Sequence, residues 1–121
     1  MKIETFKRGE ALHVKIKGRL DTFSLSEFNQ KFNTWIEGGE NFLVADLSEL
    51  DYICSGGMRS FLSAAQKLKF HQGKIYFCNL KGAVKEVFSL SGFGLKFPIY
   101  ESLEEALNPN HFSDITRSEV E

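Results

Sequence analysis

Leu12, Val14 and Ile16 alternate with His13, Lys15 and Lys17, a period of two that makes residues 11 to 17 a strand with one wet face. A run over residues 2 to 8, joined to it through Arg8-Gly9-Glu10, completes a hairpin. After Gly18-Arg19-Leu20-Asp21 the period changes. Ser24-Leu25-Ser26-Glu27 is a capping-box pattern, and Phe28, Phe32, Trp35 and Ile36 follow at helical spacing until Gly38-Gly39. Phe42-Leu43-Val44-Ala45 is continuously apolar, as a central strand covered on both faces should be, and Asp46-Leu47-Ser48 leads out of it.

A second helix is expected from near Ser55 to about Gln72, with Met58, Phe61, Leu62, Ala65 and Leu68 as its apolar stripe and Gly73 as its stop. Lys74-Ile75-Tyr76-Phe77-Cys78 is another strand, and Ala83, Val84, Val87, Phe88 and Leu90 mark a third helix that ends at Gly92. Phe97-Pro98-Ile99-Tyr100 is a short last strand in which Pro98 favours an edge position. Ser102-Leu103-Glu104-Glu105 opens a short fourth helix with a second capping box. Right-handed crossovers turn this β-β-α-β-α-β-α-β-α order into an α/β fold. Its mixed sheet has an antiparallel first strand pair and parallel later strands, flanked by about four helices. One domain over residues 1–107 is expected, followed by a polar tail, 108–121, with the composition of a disordered segment.

The composition narrows the function. With 15 basic and 16 acidic residues the net charge is -1, so no overall basic field holds nucleic acid or an anionic membrane. No apolar run approaches the roughly 20 residues of a membrane helix, and the start MKIETFKRGE lacks a signal peptide's apolar core; a soluble, cytoplasmic protein without membrane insertion is expected. Cys54 and Cys78 have no CxxC spacing, and His13, His71 and His111 are scattered, so neither a metal nor another cofactor is expected. The chain has no GxxxxGK[ST] phosphate-binding loop, and the only visible catalytic parts are Ser55 and helix N–H groups, with no base. The protein is therefore read as a non-enzyme.

The segment Tyr52 to Leu62 carries the most information. There an apolar strand gives way to an amphipathic helix, and a hydroxyl and two glycines fall at a helix N-terminus, which favours anions or a docking partner. Function in such sheets sits beyond the carboxyl ends of parallel strands, where this turn belongs. Ser55 is placed to cap the helix. Gly56 and Gly57 supply positive φ or close packing, and equally a bare backbone for a partner to press on. Met58 and Leu62 are assigned to the core, while Arg59 and Ser60 are expected to face out, Arg59 against the helix dipole. Asp21 reads equally as a turn cap or a partner contact. Phe93, after Ser91-Gly92, reads as an exposed anchor unless it folds back onto the third helix.

In order and spacing these pieces resemble the STAS domain family, the bacterial anti-sigma-factor antagonists in particular. The resemblance spans residues 1 to about 107. It is carried by the Gly18-to-Asp21 turn, the Asp46-Leu47-Ser48 exit, the Tyr52-to-Arg59 turn and the Ser91-Gly92-Phe93 turn. In that family a strand leads into an Asp-Ser-Ser-Gly turn whose second serine is phosphorylated by a partner kinase that is also an anti-sigma factor. The unphosphorylated form binds that partner and frees the sigma factor. Aligning Gly57 with the family's glycine puts Cys54 at the aspartate, Ser55 at the first serine and Gly56 at the acceptor, so the usual acceptor hydroxyl is missing.

The resemblance implies an antagonist-like protein that binds an anti-sigma factor or histidine-kinase-like serine kinase. Its contacts would be Asp21, Cys54, Ser55, Gly56, Gly57, Arg59, Ser60 and Phe93. Ser55 is the alternative phosphoacceptor, set against its role as a cap. A second reading is a STAS-like module that carries a small ligand such as a nucleotide or lipid, or serves a transporter or stress-signalling assembly. No direct contact with nucleic acid is expected, and the oligomeric state stays open.

Overall fold

The computed structural model describes residues 1–108. Its elements are β1 (Lys2–Arg8), β2 (Ala11–Leu20), α1 (Leu25–Glu37), β3 (Phe42–Asp46), β4 (Leu50–Ile53), α2 (Ser55–Phe70), β5 (Lys74–Cys78), α3 (Gly82–Leu90), a 3-10 turn at Phe93–Leu95, β6 (Ile99–Tyr100) and α4 (Leu103–Leu107). The strands lie in the order β1-β2-β3-β5-β6; β1 and β2 are antiparallel and the rest parallel, which is the expected mixed sheet with helices around it. Expectations about the tail beyond Asn108, His111 included, lie outside the described residues.

β4 is absent from the element order expected from the sequence, and β2 runs on past Lys17 to Leu20. β2 pairs with β3 over Leu12–Lys15, and then with β4 over Gly18–Leu20. Gly18 makes the change of partner possible. Its φ is +91°, where a side chain would be strained, the register shifts at Gly18/Arg19, and its N–H donates to the Glu49 carbonyl.

Alternation along the strands divides the core. Val14, Ile16, Leu43, Ala45, Ile75 and Phe77 pack against Phe28 and Phe32 of α1, Phe61 of α2 and Phe88 of α3. Phe61 meets Phe28 and Phe77 edge-on at centroid distances of 5.1 and 4.9 Å, the arrangement that aromatic quadrupoles favour. On the opposite face Ala11, Val44, Tyr76 and Cys78 are covered by Ala106 of α4. With both faces covered, β3 reads as an unbroken apolar run.

Helix ends differ from their sequence signals in two places. Ser24 makes no capping bond to α1; its hydroxyl accepts from the Asp21 N–H at 3.0 Å and serves the loop instead. The second box forms in modified shape, with Ser102 accepting from the Glu105 N–H and the Glu105 carboxylate reaching the Glu101 N–H. α2 stops at Phe70, and Gly73 is needed just beyond it because a Cβ there would lie 2.5 Å from the Asn41 carbonyl oxygen.

The sheet edges are β1, which shows Lys2, Lys7 and Arg8 to solvent, and β6, two residues long and preceded by Pro98. No helix of the described residues is long and apolar enough to cross a membrane.

Candidate partner-docking site

β4 delivers the chain to the first turn of α2. Ile53 is buried, Cys54 takes an extended backbone as N-cap, and its N–H is tied to the Leu20 carbonyl at 2.9 Å, so the strand end and the helix start are held by β2. Ser55 is the first helical residue. A cap must precede the helix for its oxygen to reach back to the second or third N–H. Ser55 stands one position too late, which corrects the expectation that it caps: no side chain caps α2, and the Ser55 hydroxyl is exposed with no hydrogen bond among the described residues.

Neither Gly56 nor Gly57 has positive φ, so close packing, not turn geometry, requires them. A Cβ on Gly57 would sit 2.9 Å from Leu20 Cγ and from Ile53 Cγ1, both core side chains. One on Gly56 would sit 2.6 Å from Leu25 Cδ1. Gly56 remains half-exposed, so the backbone beside Ser55 is bare to a partner as well.

Arg59 faces out as expected and makes no ion pair among the described residues. Ser60 does not face out. It is 8% exposed, because a helical step of three residues puts it on the buried face with Gly57. Met58 is buried and Leu62 packs partly against the core.

Asp21 is a turn cap: its carboxylate accepts from the Phe23 and Ser24 N–H groups at 3.1 and 3.2 Å, with Arg19 at 3.8 Å. The Arg19 guanidinium in turn lies over the Tyr52 ring, 4.3 Å from its centroid. Phe93 is not an exposed anchor. Gly92, at φ +77°, turns the chain back so that the Phe93 ring rests 5.4 Å from Phe88 and 4.9 Å from Phe97. The most exposed aromatic of this region is Phe23, 93% accessible against 38% for Tyr52, and it is not among the residues expected to make contact. Its signal was there: a phenylalanine in the polar run Asp21-Thr22-Phe23-Ser24, outside the helical period that starts at Phe28.

Behind the site, the Asp46 exit is a buried polar knot. His13, expected on a wet face, is 4% exposed, since Arg8 and the Phe6 ring of β1 close over it. Asp46 is hydrogen-bonded to His13, to the Asn79 amide and to the Ser48 N–H. Burial pushes its carboxyl up, but these hydrogen bonds outweigh burial and hold it below its ordinary value. Among the described residues no group of three or more His, Cys, Asp or Glu is placed for a metal. A cavity of about 130 Å³ between α3 and β6 is lined by Leu80, Phe88 and Tyr100, and an open groove of about 600 Å³ by Lys7, Arg8, Phe42 and Lys74. Neither includes a residue of the α2 turn.

Comparison with known proteins agrees with this architecture. The STAS domain model matches residues 2–106. The chain is 35% identical over 106 residues to a putative anti-sigma factor antagonist, BtrV, of Bordetella bronchiseptica, covering 88% of this chain and 91% of that protein. It is 21% identical over 92 residues to the anti-sigma-B factor antagonist of Staphylococcus aureus, covering 76% and 85%. In fold it is similar to an anti-sigma factor antagonist from Mycobacterium paratuberculosis, with TM-score 0.81 and 21% identity over 88% of this chain and 90% of that one. The anti-sigma factor antagonist SpoIIAA in its unphosphorylated form gives TM-score 0.74 and 19% identity, over 97% of each chain.

Proposed function

Because the chain belongs to the STAS domain family, we propose that it is an anti-sigma-factor antagonist that docks an anti-sigma factor or serine-kinase partner on the α2 turn and thereby regulates transcription. The observation that carries this reading is the Ser55 hydroxyl, exposed and unbonded on the first residue of α2 beside the bare backbone of Gly56. Cys54, Ser55, Gly56 and Arg59 supply the contact, with Gly57 as the packing hinge beneath them and Asp21 shaping the neighbouring loop.

With Gly57 set on the family's glycine, Gly56 falls at the acceptor serine, and the protein then lacks the usual switch. Ser55 is the exposed hydroxyl that remains on the turn. Phosphoryl transfer to it forms the Oγ–P bond as the ATP γ-phosphoryl group leaves ADP, with the hydroxyl proton released to solvent. Two negative charges at most, roughly -1.5 to -2, then lie at the helix start, where the dipole welcomes them but a docked partner must desolvate them. The modified form releases its partner.

The test is to incubate the protein with purified serine-kinase anti-sigma factors, with and without Mg-ATP, and to follow complex formation and intact mass. A complex that dissociates as one phosphoryl group appears on Ser55 is the expected result. A complex with no phosphate makes the protein a constitutive antagonist, and no complex with any kinase removes the reading.

A further inference from the structure

We propose that the Phe23 ring is the apolar anchor of this docking surface and enters an apolar pocket, acidic at its rim, on the same kinase or anti-sigma partner. The inference rests on the partner reading above and adds a residue outside the α2 turn. A lone exposed phenylalanine is ordinary on a protein surface. Phe23 differs in how it is held and in what lies beside it.

Its backbone is pinned. The Phe23 N–H is bonded to the Asp21 carboxylate at 3.1 Å, the Ser24 N–H to the same oxygen at 3.2 Å, and the Ser24 hydroxyl accepts from the Asp21 N–H at 3.0 Å. A loop fixed on both sides of an aromatic that stands 93% exposed loses little backbone freedom on binding. The loop also abuts the turn. Leu25, two residues on, fills the space a Gly56 side chain would take, and Leu20, at the start of the loop, accepts the Cys54 N–H.

Of the other highly exposed apolar side chains, Leu95 stands in the 3-10 turn that follows α3, and two stand at helix ends. Phe70 and Leu90 end α2 and α3, and helices that cross from one parallel strand to the next end at the opposite pole from the α2 N-terminus. The rim chemistry follows from Arg59, which lacks a carboxylate partner among the described residues, on a helix whose first turn carries no acid. Phe23 before α1 and Arg59 near the start of α2 lie at the same pole of the sheet, and aromatics and arginines are the side chains enriched at interface hot spots.

The test compares wild type, Phe23→Ala, Ser55→Asp and Phe70→Ala for binding to the purified serine-kinase anti-sigma factors of the source genome, by calorimetry. Circular dichroism melting of each variant checks folding. Phe23→Ala is expected to melt like wild type and bind at least about 30-fold more weakly, the size of an interface hot spot, while Phe70→Ala binds as wild type. If Phe23→Ala stays within threefold of wild type while Ser55→Asp loses binding, the anchor is overturned and the docking turn stands. If wild type binds no kinase, the partner reading fails and the anchor with it. If Phe23→Ala instead abolishes self-association in sedimentation without changing kinase affinity, the ring serves a second copy of the chain and the proposal is wrong.

Discussion

His13 donates its Nε2 proton to Oδ2 of Asp46 across 2.8 Å, because Arg8 Nε, which can only donate, occupies the other ring nitrogen at 3.0 Å. Three strands, β1, β2 and β3, are joined by this chain of bonds, and Asn79 extends it to the end of β5.

The pair makes stability depend on acid. Asp46 has its folded pKa below the ordinary aspartate value of about 3.9. Its contribution is therefore whole above that value and is lost as pH falls through the lower folded one. Urea melts at descending pH should show this loss in wild type and a flatter profile in Asp46→Ala. At neutral pH that variant, with the His13 N–H left unpaired, should lose about 1–3 kcal/mol. Equal acid profiles for the two proteins would remove Asp46 as a source of the dependence.

The two glycines of the turn should tolerate side chains unequally. Gly57→Ala presses on Leu20 Cγ and Ile53 Cγ1 in the core, and a loss of about 1–3 kcal/mol is expected. Gly56→Ser meets only the far end of Leu25. It should cost less, and adding Leu25→Ala should change that cost non-additively because the two sites touch. Denaturant midpoints of Gly57→Ala, Gly56→Ser, Leu25→Ala and the Gly56→Ser/Leu25→Ala double variant measure this; a strictly additive pair would mean that Leu25 does not occupy that space.

Charge at Ser55 should separate binding from stability. Ser55→Asp places an anion on the first helical residue, worth about 0.3–1 kcal/mol in favour of the helix, so its melting temperature should hold or rise. Partner binding should fall sharply. A variant that unfolds at lower temperature would show that Ser55 has a structural task after all.

The two thiols should react differently. Burial pushes the Cys78 thiol up to about 12, with the Asp46 charge adding to it, while Cys54 is half-buried at the helix cap. Iodoacetamide on the folded protein should add one group, at Cys54, and the second only after denaturation. The singly alkylated protein should no longer dock its partner. Two rapid additions would contradict the packing of Cys78.

Much of the fold was legible because the period changes where the structure does. Leu12-Val14-Ile16 alternate along β2 and turn one face into the core, and Phe42 to Ala45 run unbroken in the middle of the sheet. A strand end at Tyr52 was legible, but β4 as a strand separate from β3 was not: it has four residues, two of them wet, and it pairs where Gly18 hands β2 from one neighbour to another. Ser55 was one step from the cap position, and a boundary of one residue is below what capping patterns resolve. Ser60 and Phe93 depend on three-dimensional neighbours, the width of the buried face of α2 and the reversal at Gly92. The close packing of Gly56 and Gly57 was within reach of the sequence; the partners that demand it, Leu25 and Leu20, were not.

The lysines and arginine of β1 and the short, proline-led β6 discourage another strand from joining these edges. A visitor to this protein gains little by zipping along the sheet, which would bind through the backbone and be slow to undo. It must grip a small tip made of side chains. A grip confined to one tip can be undone at one atom.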